Sequence, residues 1–247
     1  MKYRLKDIFD LQMGKTPSRN NRDYWNNEGY KWISIADLSK TDKYISKTKE
    51  YLSRSAIEES GIKVIPANTV IMSFKLSIGK VAITSEDMYS NEAIMAFRDK
   101  HIVDILPEYI FYMFMHRKWD EVGNKAVMGK TLNKAILSDV EIDVSPIEEQ
   151  KKIVKILDRL MNVLEYRKEE LESLDDIIKA RFVEMFGDAI HNDKGWETDE
   201  VEKLCKEIYG GGTPSKLHSE YYEDGDIPWI SSKDMKTDVL NDSQIKI

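Results

Sequence analysis

The apolar positions of this 247-residue chain change their period at about residue 145. Before it, short β-branched and aromatic runs alternate with glycine, proline and asparagine. After it, one long run keeps a helical period. Over 145–187, SPIEEQKKIVKILDRLMNVLEYRKEELESLDDIIKARFVEMFG, the residues Ile153, Leu157, Leu160, Leu164, Leu171, Leu174, Ile178 and Met185 stand at 4-3 heptad spacing. Arg167 and Arg181 interrupt that seam. Ser145 and Glu148 form an S-x-x-E capping box, Pro146 takes the first helical position, and Gly187 supplies the stop. The pattern predicts one helix over 146–186, about 60 Å long at 1.5 Å per residue. An apolar seam of that length needs cover, and its heptad period makes the cover another long helix.

Residues 1–144 show no such period. YKWISIADL (30–38), NTVIMSF (68–74), KVAIT (80–84) and EAIMAF (92–97) have the content of short strands. Turn signals separate them: Gly14 with Pro17, the run 26–29, Gly61, Pro66-Ala67-Asn68, and Gly79. PEYIFYMFMH (107–116) opens on proline and continues as an apolar helix packed under the sheet, its Met and Tyr side chains serving the core. The expected fold class is α+β: a mixed β-sheet with helices, followed by the long coiled-coil helix.

Beyond Gly187 a polar linker, DAIHNDKGWE, precedes a second start. Residues 14–37 aligned without gaps on 211–234 share nine of 24 positions, among them Thr-Pro-Ser (16–18, 213–215), Trp-Ile-Ser (32–34, 229–231) and Asp37/Asp234. An offset of 197 residues is far outside the range of solenoid repeats, so this is a duplicated domain. The second copy lacks counterparts to residues beyond about Tyr51. Roughly 50 residues without the rest of the sheet hold too little core to be independently stable. Three segments result: a first domain (1–144), the long helix (145–187), and a linker with a partial second domain (188–247).

Net charge is −7, but it is unevenly spread. Residues 1–144 carry 22 Lys+Arg against 20 Asp+Glu, a net of +2; residues 145–247 carry 15 against 24, a net of −9. An anionic partner would therefore meet the first domain. The single cysteine, Cys205, allows no internal disulfide and fits a reducing compartment. No apolar leader and no long uncharged run occur, so a soluble, cytoplasmic chain without a membrane partner is expected.

Catalytic signatures fail one by one. Gly123 to Thr131 imitates a phosphate-binding loop, but five residues rather than four separate its glycines. His101, His116, His191 and His218 have no Cys or carboxylate partners at ligand spacing, so no metal is expected. No G-x-S-x-G elbow occurs, Cys205 has no evident His partner, and no Asn-Pro-Pro-Tyr adenine-methylating signature is present. The chain reads as non-catalytic and free of cofactors.

Three further signatures resemble one family. They are G-x-T-P-S…W-I-S (14–34 and 211–231), S-I-G-K-V-A-I (77–83) after Lys75, and M-G-K-T-L-N…L-S-D-V-E-I (128–142) running into S-P-I-E-E-Q-K-K-I-V (145–154). Together they resemble the DNA-specificity (S) subunit of type I restriction-modification systems. That resemblance implies target recognition domains alternating with long helices that pair antiparallel. It also implies a bipartite double-stranded DNA target, and partnership with modification (methyltransferase) and restriction subunits. With one complete recognition domain and one long helix here, two copies of this chain are expected to pair through the helix. Ile153, Leu157, Leu160, Leu164, Leu171, Leu174 and Ile178 would form the seam. The alternative is a coiled-coil scaffold that reads no sequence.

Base reading needs donors and acceptors on loops framed by a rigid sheet, with cations at phosphates. The resemblance places three such loops near the DNA-facing side: 15–19, 73–80 and 125–131. The candidate DNA-binding residues are Lys15, Thr16, Arg19, Lys75, Lys80, Lys130 and Thr131. The Thr-Pro-Ser turn recurs in the partial copy, so it is expected to serve the fold as well.

Overall fold

The computed structural model describes residues 1–247 apart from Asn27, Leu76, Asp120, Glu121, 123–131, Ala189, Lys216, Asp224, Thr237 and Asp238. It divides into two compact units, Met1–Asp175 and Asp176–Ile247.

The first unit opens with β1 (Lys2–Arg4), the short helix α1 (Leu5–Ile8) and β2 (Phe9–Met13). There follow β3 (Trp25–Asn26), β4 (Tyr30–Ile33), α2 (Ile35–Leu38), β5 (Tyr44–Ile45), β6 (Glu50–Leu52) and α3 (Arg54–Ser60). The strands β7 (Val70–Ser73), β8 (Val81–Thr84), β9 (Tyr89–Ser90) and β10 (Ile94–Asp99) come next. Then come α4 (Pro107–Met115), α5 (Lys134–Ser138), β11 (Glu141–Asp143) and the long helix α6 (Ile147–Phe186), of which the first unit holds the part up to Asp175.

A five-stranded sheet in the order β2-β10-β7-β8-β5 forms the centre. Its strands are antiparallel except for the β5–β8 pair. Every residue of β7 and β8 is buried, which explains their unbroken VIMS and VAIT character: both faces of the sheet are covered. On one face Val70, Met72, Ile83, Met95 and Phe97 pack against Tyr109, Ile110, Phe111 and Phe114 of α4. On the other, Ile71, Ala82, Ile94 and Ala96 meet Ile33, Leu38, Ile45 and Ile65. A smaller sheet, β3-β6-β4-β9, carries a third cluster around Trp32, Leu52, Ala56 and Tyr89.

The α+β expectation holds, and the strands expected at 68–74, 80–84 and 92–97 form within a few residues. The run 30–38 behaves differently. Its strand ends at Ile33, and Ser34 caps α2: its Oγ accepts from the Asp37 amide (3.2 Å) while the Asp37 carboxylate accepts from the Ser34 amide (2.9 Å). A reciprocal S-x-x-D box has overridden the strand propensity of Trp-Ile-Ser-Ile.

The long helix forms as expected and stops at Gly187, whose φ of 76° is the left-handed conformation of a helix stop. Its start differs from the expected capping box. The Pro146 carbonyl accepts the first helical bond, from the Gln150 amide (3.0 Å), and Glu148 pairs instead with Lys151 (2.7 Å). Gln150 is fully buried. Its Oε1 accepts from the Leu106 amide (2.9 Å), and its Nε2 donates to the carbonyls of Asp104 (2.9 Å) and Ser145 (2.8 Å). Ile153, Val154, Leu157 and Met161 then pack on the domain core. Between Leu157 and Met161, the Asp158 carboxylate accepts from Lys43 Nζ (2.5 Å) and from the Tyr112 hydroxyl. Burial raises the Asp158 pKa, but those two hydrogen bonds outweigh it and hold the carboxyl below its usual value. Further along, Leu160, Leu164, Leu171, Leu174 and Ile178 are exposed; Leu171 keeps 65% of its surface.

In the second unit the expected repeat reappears as geometry. Short β12 (Pro228–Trp229) pairs with β13 (Ile245–Lys246), as β4 pairs with β6. Trp229 Nε1 donates to the Gly212 carbonyl (3.1 Å), as Trp32 Nε1 donates to the carbonyl of Lys15 (3.0 Å), its equivalent. The Asp234 carboxylate accepts from the Ser231 amide (2.9 Å), repeating Asp37 on Ser34. What differs is burial: Ile33 is fully buried, whereas its counterpart Ile230 is 52% exposed.

Candidate nucleic-acid interface

The 14–19 turn grows from the end of β2. The Gly14 amide donates to the Ile94 carbonyl (3.1 Å) and the Lys15 amide to the Ser90 carbonyl (2.8 Å), which presses Gly14 against the β9–β10 turn. A Cβ on Gly14 would lie 2.2 Å from the Asn91 carbonyl oxygen, so only glycine fits. Two indoles hold the rest of the turn. Trp32 donates to Lys15 O, and Trp25 Nε1 donates to Ser18 O (3.1 Å), the rings meeting edge to face at 5.0 Å. The Arg19 guanidinium lies 3.7 Å over Trp25 and makes a two-pronged ion pair with Glu50. Stacked and paired in this way, Arg19 is preorganised rather than freely solvated.

The Thr16 hydroxyl donates to the Glu92 carboxylate. That bond is the chief reason the Glu92 carboxyl is held below its ordinary range, against the opposing effect of burial; the charges of Lys75 and Arg19 add to it. Thr16 of the first expected loop thus bonds Glu92, while Arg19 of that loop and Lys75 of the second act on it only through their charge. Lys15 is placed otherwise, its ammonium donating to Ser60 O at the end of α3.

In the second loop, Ser73 organises the turn. Its hydroxyl accepts from the Lys80 amide (3.0 Å) and donates to the Ser77 carbonyl, while Gly79 takes a φ of 85° over the Trp119 ring. Lys75 stands 5.3 Å over Phe74, and Lys80 is exposed. The third loop, with Lys130 and Thr131, lies outside the described residues. Its flanks Trp119 and Leu132 are both buried, and Trp119 also supports Gly79.

Glu92 and Glu50 were not among the sequence candidates. They stand 76 and 31 residues from their partners, so only the strand pairing brings them in. Among the described residues no group of His, Cys, Asp and Glu could hold a metal ion.

The profile of the type I restriction modification DNA specificity domain matches residues 1–175. Over 97% of this chain there is 27% identity to the MjaIX type I restriction enzyme specificity subunit of Methanocaldococcus jannaschii, 59% of which is covered. The EcoR124I/EcoR124II specificity subunit of Escherichia coli is 29% identical over 63% of this chain and 39% of its own. The chain thus spans about half the length of the curated relatives it matches. The solved HsdS subunit from Thermoanaerobacter tengcongensis shares the fold, with a TM-score of 0.54 at 19% identity over 69% of this chain and 39% of its own. A chain from a structure of the type I R-M system gives 0.58 at 20% identity, over 73% and 43%. With its profile spanning the whole first domain and much of the long helix, the chain belongs to the type I restriction modification DNA specificity domain family.

Proposed function

We propose that this chain is a non-catalytic, sequence-specific DNA-binding subunit. In this reading it directs the methyltransferase and nuclease subunits of a type I restriction-modification system to their target. The observation that carries the proposal is the repeated turn. Trp32 and Trp229 hold equivalent backbones through the same bond, yet Lys15 and Arg19 are replaced by Gly212 and Lys216. A frame held by the same bond while the cations on it differ suits the reading of different bases. Thr16, Arg19 and Lys75 would face the DNA around Glu92, whose carboxylate can accept from a cytosine amino group. Lys15, Lys80, Lys130 and Thr131 complete the proposed surface. A gel shift with the modification subunit present tests this, as salt is raised. Binding should weaken steeply, and joint alanine changes at Lys75, Lys80 and Lys130 should lower affinity and flatten the salt slope by about one phosphate per lysine lost. Unchanged affinity and slope would remove these residues from the interface.

We further propose that two copies pair antiparallel through α6. Ile153 and Leu157 already pack on their own domain, so the seam between helices would run from Leu160 through Leu164, Leu171, Leu174 and Ile178. Arg167 and Arg181 pair within their own helix with Glu170 and Glu184, and such exposed pairs are weak enough to exchange for a partner's carboxylates. Two-fold pairing would make the target a palindrome with a fixed spacer. Sedimentation equilibrium should show a dimer that the double change Leu160→Glu/Leu171→Glu converts to monomer. A monomer from the outset at micromolar concentration would end the pairing idea.

A further inference from the structure

The first turns of α6 are bolted to the recognition domain at two separate points. At one, Gln150, with no exposed surface, bonds three backbone groups of the segments that lead into α4 and α6 (Asp104, Leu106 and Ser145). At the other, Asp158 receives Lys43, which precedes β5, and Tyr112 of α4. Lys43 also lies 5.0 Å over the Tyr112 ring, and the neighbouring Tyr44 hydroxyl donates to Glu108 of α4 (2.6 Å). The two anchors are about 12 Å apart along the helix, with Ile153, Val154 and Leu157 pressed on the core between them. One anchor would leave a pivot; two fix a direction.

We propose that Gln150 and Asp158 are positioning residues that set the angle at which the long helix leaves the recognition domain, and through it the spacing of the half-sites that paired chains read. The second clause rests on the function proposed above. From Asp158 to Asp175 the helix runs about 25 Å, so a swing of about 10° displaces its far end by about 4 Å, more than one 3.4 Å base step. Apolar contacts along a helix tolerate a swing of that size by small rotamer changes. Hydrogen bonds to a buried amide and a carboxylate do not, because their strength falls steeply as the donor angle closes.

The experiment uses the full chain with spin labels at Arg54→Cys and Lys168→Cys in a Cys205→Ser background, diluted with unlabelled chain so that one subunit's distance is read. The intact clamp should give one narrow distance distribution. Gln150→Ala and Asp158→Ala should each broaden it, or shift it by about 4 Å or more, with the far-ultraviolet helix signal unchanged. Lys43→Ala leaves no buried group without a partner and provides the same reading should Gln150→Ala fail to fold. The same proteins are then offered a DNA library that varies only the spacer. The parent should select one spacing, and the variants should lose that preference several-fold while keeping the same half-site bases. Distance distributions as narrow as the parent's in all variants would overturn the clamp. Broadened distances with an unchanged spacer preference would overturn its link to spacing. If the parent selects no sequence, the DNA reading fails while the distance measurement still decides the clamp.

Discussion

Residues 14–52 and 211–247 run the same local program with different outcomes. Both make a one-turn 3-10 helix, at Arg22–Tyr24 and Ser219–Tyr221. Both lead through a tryptophan that bonds back to the turn, into a Ser–Asp box and then a return strand. In the first copy Ile33 is fully buried, because Ile71 of β7, Ala82 of β8 and Ile94 and Ala96 of β10 supply the wall behind it. In the second, Ile227, Ile230 and Met235 remain exposed. Backbone shape is thus a property of caps, prolines and indole N–H groups a few residues apart. Burial, and most of the stability, comes from strands that follow much later in the chain.

That contrast can be broken by paired substitutions. Trp32→Ala removes a buried indole and should destabilise the first domain by about 3–5 kcal/mol. Trp229→Ala in the same denaturant titration should leave the main transition within about 0.5 kcal/mol of the parent. Equal losses would mean that the second copy shares the first domain's cooperative core. Gly14→Ala forces a Cβ into the Asn91 and Ser90 backbone and should cost about 1–3 kcal/mol. Gly211→Ala meets nothing within 4 Å and should be nearly silent.

The finest test is acid. The Asp234 carboxyl is held below its ordinary range, first by the Gln244 amide and then by Ser231. A depressed pKa favours the folded hairpin above the unfolded carboxylate value of about 3.9, and that contribution is lost as pH falls through the folded value. The Gln244 amide resonance should therefore move as pH falls below about 3.9 and the Asp234 carboxylate is protonated. An Asp234→Asn variant should lack that response.

Features written in short-range pattern were legible in the sequence. The 4-3 period of α6, the Gly187 stop, the buried α4 and the duplicated turn all depend on neighbours within a turn or two. The surroundings of the candidate residues were half legible. Thr16 and Arg19 stood out as a cation and a hydroxyl on a proline-fixed turn, but their partners Glu92 and Glu50 come through sheet pairing and leave no mark nearby. Gln150 hid for the opposite reason. A glutamine in a helix start crowded with charge reads as solvated surface, yet the segment it fills lies 44 residues upstream. Strand β2 escaped because four helical residues, Leu5–Ile8, run straight into it without a turn signal.

The pairing of the chain's first strand with its last before α6 has a consequence for how such a domain can change hands. Lys2, Tyr3 and Arg4 lie antiparallel to Asp143, Ile142 and Glu141, and the Met1 amine donates to the Val144 carbonyl (2.9 Å). The two ends of the recognition domain are therefore held one strand spacing apart, about 4.8 Å. Everything between them forms a closed cassette with a single two-ended plug. A foreign cassette would have to present the same short strand pair and sites for both Gln150 and Asp158, and the helix beyond would keep its place. On the DNA-reading function proposed above, specificity would then be exchanged in one recombination event, without redesign of the frame that holds it.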